Sequence, residues 1–378
     1  MKRRLWVQSA AAACIASPSF WARAQPGSAG KKIVLGQSAA FSGPASALGE
    51  KFKQGAMLQF DKANAHGGVG GRLIELKSLD DGYEPDRCAA NTKAFIEQGV
   101  SALFGYIGTP TSLAALPLAT AAKLPFIAPF TGAEALRTPF NRQVFHVRAS
   151  YFDETAEIVK QLLAVGIKRI AVFHQNDSYG KAGLEGVTRA LKPHDLAPTG
   201  LGTVERNTTA IEAAVASIMA SKPDAIVQIS AYKSCAAFIR AARKAGFGGT
   251  FYNVSFVGTQ ALAQELGADA RGVVVSQVMP FPFTPVTILS GEYLAAGHAA
   301  QGDKFEPNYS SMEGYVAAKV LLEALHRGGQ GSDALIQGLE AMHDFNAGGF
   351  FVDFNPQKHT GSKFVELTIL QEDGRVRR

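Results

Sequence analysis

The chain has 378 residues, of which 47% are hydrophobic and 19% are charged, and its formal net charge is +6. That length predicts two domains with an ample core. The first 24 residues carry four of the basic residues and no acidic one, so the rest of the chain has a charge of only +2, which gives little support to nucleic-acid binding.

Residues 1–24 have the layout of a secretory signal peptide. A basic start at residues 2–4 precedes a largely apolar stretch, and Ala22-Arg23-Ala24 forms a small-x-small cleavage site. The paired arginines before Trp6 also fit a twin-arginine signal, and the alanines before Cys14 also fit a lipoprotein signal, so the export route stays open. No apolar run of transmembrane length follows. We therefore predict an exported, soluble protein that is cleaved after Ala24.

Short apolar segments with strand character alternate with longer amphipathic segments from Lys32 onward. The predicted strands cover residues 33–36, 73–79, 102–105, 125–130, 169–174, 224–230, 250–256 and 272–278. Such alternation predicts parallel sheets that are covered by helices on both faces. Near the end, the apolar spacing of residues 310–327 predicts a helix that packs on a sheet.

Three short segments without helical periodicity are candidate crossings between two lobes. They are residues 147–153, 279–285 and 351–361. We therefore predict an α/β fold of two discontinuous, doubly wound parallel-sheet lobes joined by a three-segment hinge. The predicted boundaries are 31–149 plus 282–350 for lobe 1, and 150–281 plus 351–378 for lobe 2. Lobes connected in this way can close around a ligand.

Two cysteines, Cys88 and Cys235, remain after the signal segment. Because they form no CxxC pair, they cannot belong to a repeated metal or redox motif. We predict two free thiols in or near helices in preference to a disulfide between them.

The stretch FGYIGTPTS at residues 104–112 runs from a predicted strand into the start of a helix predicted from Ser112. Free backbone amides and the helix dipole favour an anion there, and Thr109, Thr111 and Ser112 add hydroxyl donors. A simple capped helix start explains the same pattern equally well. A second strand-to-helix loop contains Thr131 and Gly132. Neither loop contains a lysine, so a carboxylate fits better than a polyphosphate.

Other motifs favour structural interpretations. The histidines His66, His146 and His174 are scattered, so no metal site is predicted. Asp80-Asp81 suits a strand-end turn or a helix cap, and no nucleophile, base or metal constellation indicates an enzyme. Tyr179 and Tyr232 each follow a predicted second-lobe strand, where they would cover a ligand or simply pack.

Several blocks, in their order and spacing, resemble the periplasmic solute-binding proteins of branched-chain amino-acid type ABC importers, which have the type I binding-protein fold. They are FSGPASALGEKFKQGAMLQFDKANAHGGVGGR, DDGYEPDRC, the 104–112 stretch, IAVFHQNDSYGKAGLEG, AAFIRAARKAGF and FYNVSFVG. The resemblance covers essentially the whole mature chain.

The resemblance implies the role of individual residues. Thr109 would grip a ligand carboxylate, with Thr131 and Gly132 on a second carboxylate loop. Tyr179 and Tyr232 would cover the ligand from the second lobe, and Leu48 would contact its tail. The full predicted ligand-binding set is Leu48, Tyr106, Thr109, Thr111, Thr131, Gly132, Tyr151, Tyr179, Tyr232 and Ser255.

Two features depart from the family pattern. Ser255 aligns with an acidic residue that pairs with the ligand's ammonium group in the amino-acid binders, which puts an amino-acid ligand in doubt unless Asp153, Glu154 or Glu313 replaces that charge. Tyr83 and Gly108 occupy the positions of a disulfide that some members carry.

The resemblance implies non-enzymatic capture, in the periplasm, of a small carboxylate-bearing solute, either a branched-chain amino acid or an aromatic or aliphatic organic acid. An inner-membrane ABC permease with its ATPase would then receive the solute. A ligand sensor of the same fold, signalling to a membrane or regulatory partner, is the alternative. We expect a monomer with no cofactor, no metal and no nucleic-acid partner.

Overall fold

The computed structural model describes residues 32–329 and 331–378, so the predicted signal peptide lies outside the described residues. Strands and helices alternate along this part of the chain. The strands are β1 (Ile33–Ala39), β2 (Ile74–Asp80), β3 (Ala102–Phe104), β4 (Phe126–Ile127), β5 (Val144–Phe145), β6 (Ile170–Gln175), β7 (Leu201–Val204), β8 (Ala225–Ile229), β9 (Thr250–Asn253), β10 (Val274–Gln277), β11 (Phe345–Asn346), β12 (Phe351–Val352), β13 (Glu366–Leu370) and β14 (Val376–Arg377). The helices are α1 (Ser46–Ala65), α2 (Pro85–Glu97), α3 (Thr109–Ala121), α4 (Tyr151–Ala164), α5 (Ser178–Leu191), α6 (Glu212–Ala220), α7 (Tyr232–Lys244), α8 (Thr259–Leu266), α9 (Ile288–Gln301), α10 (Tyr309–Gly328) and α11 (Ser332–Glu340).

A five-stranded parallel sheet, in the order β2-β1-β3-β4-β5, is the centre of the first lobe. Successive side chains of a strand point to opposite faces. Leu103 accordingly joins the apolar cluster formed with α2 and α3, whereas the ring of Phe104 lies 5.8 Å from that of Phe52 on α1. Both faces are thus covered, as the near-continuous apolar strands predict.

A seven-stranded sheet, in the order β14-β13-β10-β9-β8-β6-β7, is the centre of the second lobe. The strands β10, β9, β8, β6 and β7 are parallel, and β13 and β14 add an antiparallel edge. All eight predicted strands are present. The strands β5 and β7, the antiparallel edge and the β11–β12 pair were not predicted, because most of these strands are short or lie at edges. In β7, for example, exposed and buried residues alternate, which leaves a weak apolar signal.

The chain passes between the two sheets three times. After β5 the chain enters α4, which packs on α5 and β10 of the second lobe. After β10 it returns to the first lobe as α9, α10 and α11, and α10 packs along α1. After β12 it rejoins the second sheet through β13. These passages fall in the three predicted crossings, and the α/β class with two discontinuous lobes is confirmed. The lobe boundaries given above stay predictions.

The first and third crossings lie side by side. His146 N donates to the carbonyl of His359 at 2.8 Å, and Gly361 N donates to the carbonyl of His146 at 2.7 Å. The two chain segments therefore satisfy backbone groups of each other where they pass between the lobes.

Both cysteines of the described chain are buried free thiols, Cys88 in α2 and Cys235 in α7, as predicted. Burial raises the pKa of both thiols. Within residues 32–329 and 331–378, no helix is long and apolar enough to cross a membrane.

Candidate functional site

Three hydroxyl groups meet at the carboxyl ends of the first-lobe strands. Thr109 begins α3, Thr131 follows β4, and Tyr151 begins α4. Thr109 Oγ1 and Thr131 Oγ1 share a hydrogen bond of 2.7 Å, and Thr131 Oγ1 donates to Tyr151 Oη at 3.4 Å. All three side chains are fully buried. The two predicted loops therefore converge, and we call these three side chains the hydroxyl cluster.

The start of α3 determines which hydroxyls reach this cluster. Gly108 precedes the helix with a φ of 99°, a conformation that glycine adopts readily, and Pro110 lies in the first turn. The helix therefore begins at Thr109 and not at Ser112 as predicted. Pro110 is tolerated in the first turn, because N–H groups there have no partner within the helix and proline has no N–H to leave unpaired. Thr111 consequently lies inside the helix, and its Oγ1 donates back to the carbonyl of Gly108 at 3.1 Å.

Gly132 allows the close approach that brings Tyr151 to the cluster. The N–H of Tyr151 donates to the carbonyl of Gly132 at 2.7 Å. A Cβ added at position 132 would lie 2.6 Å from Tyr151 N and 2.7 Å from Tyr151 Cδ1. The glycine therefore holds the first crossing against the loop that follows β4, a contact that any larger residue would disturb.

An aromatic wall faces the hydroxyl cluster from the second lobe. The ring of Tyr179 lies 5.4 Å from that of Tyr151 and 4.5 Å from that of Phe256, which in turn lies 5.7 Å from Phe130. Asp177 fixes the start of α5, because its Oδ1 accepts from the N–H of Tyr179 at 2.9 Å. Tyr179 is fully buried, and its Oη has no hydrogen-bond partner. A buried phenol of this kind is available to donate to a ligand.

Leu48 and Tyr232 lie at a separate place, near the start of α1. Leu48 is buried against the backbone of Gly258 in the second lobe, where an added Cβ would lie 2.5 Å from Leu48 Cδ2. The phenol of Tyr232 approaches Ser46 and Ala47 of α1 from the second lobe. Beside them lies a groove of about 180 Å³. These two residues therefore lie where α1 meets the second lobe, and neither takes part in the hydrogen bonds of the hydroxyl cluster.

Tyr106 does not join the cluster. Its Oη shares a hydrogen bond of 3.1 Å with Thr92 Oγ1 of α2, and its ring lies 5.0 Å from Phe126. Both contacts place it in the apolar cluster with α2 and α3. The side chain lies on the same face as Leu103, because Gly105, with a φ of 61°, interrupts the alternation that would otherwise place Tyr106 on the face of Phe104.

Ser255 lies in a buried network around Glu154. Glu154 accepts from the Ser255 backbone N–H at 2.7 Å, from Ser255 Oγ at 3.0 Å and from Ser276 Oγ at 2.6 Å. Burial raises the pKa of Glu154, although Arg148 and these donors oppose the shift. The acceptor capacity of this carboxylate is therefore largely used within the protein. Asp153 is engaged too, because its Oδ2 accepts from Ser150 in the cap of α4.

Arg148, on the first crossing, was missed by the sequence analysis. Its guanidinium is 1% exposed, lies with Cζ 4.6 Å from the centre of the Phe130 ring, and contacts Ser255 Oγ through Nη2. Its Nη2 lies 4.0 Å from Glu154 Oε1, and its Nε lies 3.5 Å from Glu313 Oε1. Nε and Nη1 have no hydrogen-bond partner. In the sequence, the only indication of a role for Arg148 is that it is the single arginine of the short crossing at residues 147–153.

Burial affects the pKa values of both Arg148 and Glu313. Burial lowers the pKa of Arg148, but Glu313 and Glu154 outweigh it, so the pKa is raised overall. For Glu313, burial raises the pKa to about 7, while Arg148 opposes the shift. Arg148 thus stays charged, whereas Glu313 titrates near neutral pH.

The far edge of the cleft carries polar contacts between the lobes. Arg206 Nη2 lies 2.8 Å from Glu84 Oε2, and Asn207 Nδ2 donates to Glu84 Oε1 at 2.8 Å and to the Gly82 carbonyl at 3.0 Å. The predicted strand-end turn at Asp80 supports this edge, because Asp80 Oδ1 accepts from the Gly82 N–H at 2.9 Å. In the described part of the chain, no group of three or more His, Cys, Asp or Glu side chains is placed to hold a metal ion.

Comparison with known proteins agrees with this architecture. A family model described as periplasmic binding protein matches residues 32–375. A Leu/Ile/Val-binding protein homologue of Brucella abortus is 25% identical, with 94% of this chain and 92% of the relative covered. The solved structure of a possible leucine/isoleucine/valine-binding protein from Rhodopirellula baltica is 35% identical, with a TM-score of 0.88 over 92% of this chain and 96% of that one.

A second solved structure, a substrate-binding periplasmic protein from Ralstonia solanacearum, is 31% identical, with a TM-score of 0.86 over 91% of this chain and 99% of that one. The match to the family model spans nearly all of the described residues, and the two solved structures are similar to this chain in both sequence and fold. The chain therefore belongs to the periplasmic binding proteins of type I fold, in the family of the Leu/Ile/Val-binding proteins.

Proposed function

We propose that the protein is the extracytoplasmic solute-binding component of an ABC importer, and that it captures a small carboxylate-bearing solute between its lobes without chemical conversion. The mature protein would act in the periplasm after removal of the signal peptide, and would deliver the solute to a permease with its ATPase. Membership of a solute-binding family supports this role.

The hydroxyl cluster at the start of α3 is the observation that carries the carboxylate assignment. Thr109 and Thr131 come from two different loops, yet their oxygens lie 2.7 Å apart. Ser112, in the same first turn, has a buried Oγ with no hydrogen-bond partner. Neutral hydroxyls beside the positive end of a helix dipole suit a carboxylate. The unpartnered phenol of Tyr179 approaches from the other lobe, so closure would complete the site.

Calorimetry on the mature protein tests the assignment. Aliphatic acids, aromatic acids and branched-chain amino acids are screened first by thermal shift, because a ligand of the native state raises the melting temperature. Thr109→Val keeps the shape but removes one donor to a charged acceptor, which costs about 1.5 to 3 kcal/mol, or about one to two decades in affinity. Thr188→Val, at an exposed position of α5, is the control and should bind like the parent.

Equal affinity of Thr109→Val and the parent would contradict the carboxylate site. The transport role is tested separately, by measuring uptake of the bound acid in cells with and without the protein. Unchanged uptake in its absence would favour the sensor alternative.

A further inference from the structure

The side chain of Tyr83, in the turn after β2, is fully buried where the two lobes meet. Its backbone has a φ of 65°, a conformation that a residue other than glycine adopts rarely. Asp81 holds this turn, because its Oδ1 accepts from the Tyr83 N–H at 2.8 Å while its Oδ2 accepts from Ser38 Oγ at 2.7 Å. Strained backbone that its surroundings hold in place is concentrated at functional sites.

On the first-lobe side, the ring of Tyr83 supports the start of α3. A Cβ added at Gly108 would lie 2.2 Å from Tyr83 Cε2 and 3.0 Å from Tyr83 Cδ2, so the ring lies directly against this glycine. Gly108 immediately precedes Thr109, whose hydroxyl belongs to the hydroxyl cluster. The ring of Tyr83 therefore limits where the backbone that carries Thr109 can lie.

On the second-lobe side, the same side chain contacts the residues that precede α5. Tyr83 Oη accepts from Gln175 Nε2 at 3.3 Å, and Gln175 Nε2 also donates to Asp177 Oδ2 at 2.6 Å. Asp177 in turn caps the helix through the N–H of Tyr179. The Tyr83 ring also lies 5.8 Å from that of Phe256. One first-lobe side chain is thus linked, through two intermediate residues, to the tyrosine that faces the hydroxyl cluster.

These contacts of Tyr83 differ in when they can form. The contact with Gly108 lies within the first lobe, so it does not depend on the position of the second. The hydrogen bond with Gln175 and the contact with Phe256 cross between the lobes, so they are made only when the lobes meet. Tyr83 and Gln175 are both buried, and loss of their hydrogen bond would leave an N–H of Gln175 without that acceptor.

We propose that Tyr83 is a positioning residue that couples the start of α3 in the first lobe to the start of α5 in the second, so that this contact between the lobes slows release of the solute. The inference rests on the proposed function, since it takes the hydroxyl cluster as the carboxylate site. Tyr83 acts through Gly108 and Gln175. Its ring sets the position of Thr109, and its hydroxyl stabilises the closed arrangement.

The variant Tyr83→Phe tests the role of the hydroxyl, because it keeps the ring against Gly108 and removes only Oη. Stopped-flow measurements with benzoate, 4-methylpentanoate and leucine as probes give the association and release rates. We expect release to become about 2-fold to 10-fold faster, as for the loss of one hydrogen bond, while the association rate stays close to that of the parent. The melting temperature without a probe should also stay close to the parent value.

Tyr293→Phe is the matched control. Tyr293 is a buried phenol of the first lobe whose Oη accepts from the N–H of Asn308 at 3.1 Å, so the same atom is lost without a contact between the lobes. This variant should release the probes at the parent rate. Tyr83→Leu removes the ring as well as the hydroxyl, and it should lower the association rate, which Tyr83→Phe retains.

A double-mutant cycle assigns the effect to the hydrogen bond between the lobes. Gln175→Met removes the donor and keeps a side chain of similar length. If Tyr83 acts through Gln175, adding Tyr83→Phe to Gln175→Met should not speed release further, since the bond is already lost. A Tyr83 side chain with only a structural role would instead lower the melting temperature without a probe and leave the release rate of Tyr83→Phe unchanged.

The outcomes separate this inference from the proposed function. Parent-like release by Tyr83→Phe, or additive effects of the two changes in the double variant, would overturn the role of Tyr83 even if Thr109→Val weakens binding and the carboxylate site stands. Unchanged binding by Thr109→Val would overturn the carboxylate site and, with it, the coupling of that site by Tyr83. If the parent protein binds none of the three probes or the other acids, both proposals fail.

Discussion

Arg206 and Glu84 form an ion pair of 2.8 Å that joins the two lobes at the edge of the cleft. Glu84 follows β2 of the first lobe, and Arg206 follows β7 of the second, 122 positions later in the chain. Arg206 also lies 3.3 Å from Asp177, which caps the helix that carries Tyr179. The closed arrangement of the lobes is thus connected directly to a residue that faces the proposed ligand site.

Glu84→Gln should weaken this closed arrangement. Both side chains are partly exposed, so the pair contributes only about 0.2 to 1 kcal/mol, which corresponds to an increase of up to about fivefold in the rate of ligand release. Stopped-flow dissociation of a bound acid measures the effect. Glu75→Gln is the matched control, because Glu75 pairs with Lys32 at 2.9 Å within one lobe. Equal release rates for the two variants would show that the pair between the lobes does not hold the cleft closed.

Gly132→Ala should lower both stability and affinity. The added Cβ would lie 2.6 Å from Tyr151 N, so the first crossing must shift, at a cost of about 1 to 3 kcal/mol. Chemical denaturation and calorimetry provide the two measurements. Gly248→Ala, where an added Cβ meets no atom within 4 Å, is the control and should change neither. Parent-like binding by Gly132→Ala would mean that the position of Tyr151 is unimportant for the site.

Glu313 should make the unfolding free energy depend on pH. Burial raises its pKa in the folded protein from an ordinary 4.5 to about 7, against the opposing charges of Arg148 and Arg137 and with support from Glu154. The folded protein therefore binds more protons than the unfolded chain between these values. The corresponding stability is fully present below pH 4.5 and is lost as the pH rises through about 7.

Glu313→Gln should accordingly flatten the fall in unfolding free energy between pH 4.5 and 7. Denaturant titrations at a series of pH values measure it. Asp81, whose pKa burial raises to about 6, contributes a fall of the same sign in both proteins, so the difference between parent and variant is the relevant quantity. An unchanged slope would mean that Glu313 is ionised throughout this range.

Ligand binding should make the protein more compact. The lobes are connected by three short crossings, and both contribute groups to the cleft, so full contact with a ligand requires closure. Small-angle scattering should show a monomer whose radius of gyration decreases when a bound acid is added. An identical radius with and without saturating ligand would argue against hinge closure.

The sequence predicted features that are encoded locally. Strands such as β6 and β8 consist of contiguous buried residues, so their apolar runs identify them. The loops of Thr109 and Thr131 could also be identified, because each follows a predicted strand, although the Thr131 loop leads only into a short 3-10 turn at Glu134–Leu136. Edge strands such as β7 alternate exposed and buried residues over only four positions, and that pattern is too short to detect.

The charged part of the site could not be predicted in this way. Arg148, Ser255 and Glu313 come from the first crossing, the loop after β9 and the middle of α10, and they meet only when the lobes are assembled. Tyr106 shows the opposite difficulty. It is close in sequence to Thr109, but the positive φ of Gly105 interrupts the alternation of side chains after β3 and places Tyr106 on the α2 and α3 face.

The buried thiols of Cys88 and Cys235 make the protein suitable as an optical biosensor. A maleimide dye reacts with an accessible thiolate, and burial with a raised pKa keeps both native thiols unreactive. One new cysteine at an exposed position beside the groove between the lobes, such as Glu306→Cys, would therefore carry the dye alone. Closure would change the surroundings of the dye, and its fluorescence would report solute concentration without removal of either native cysteine.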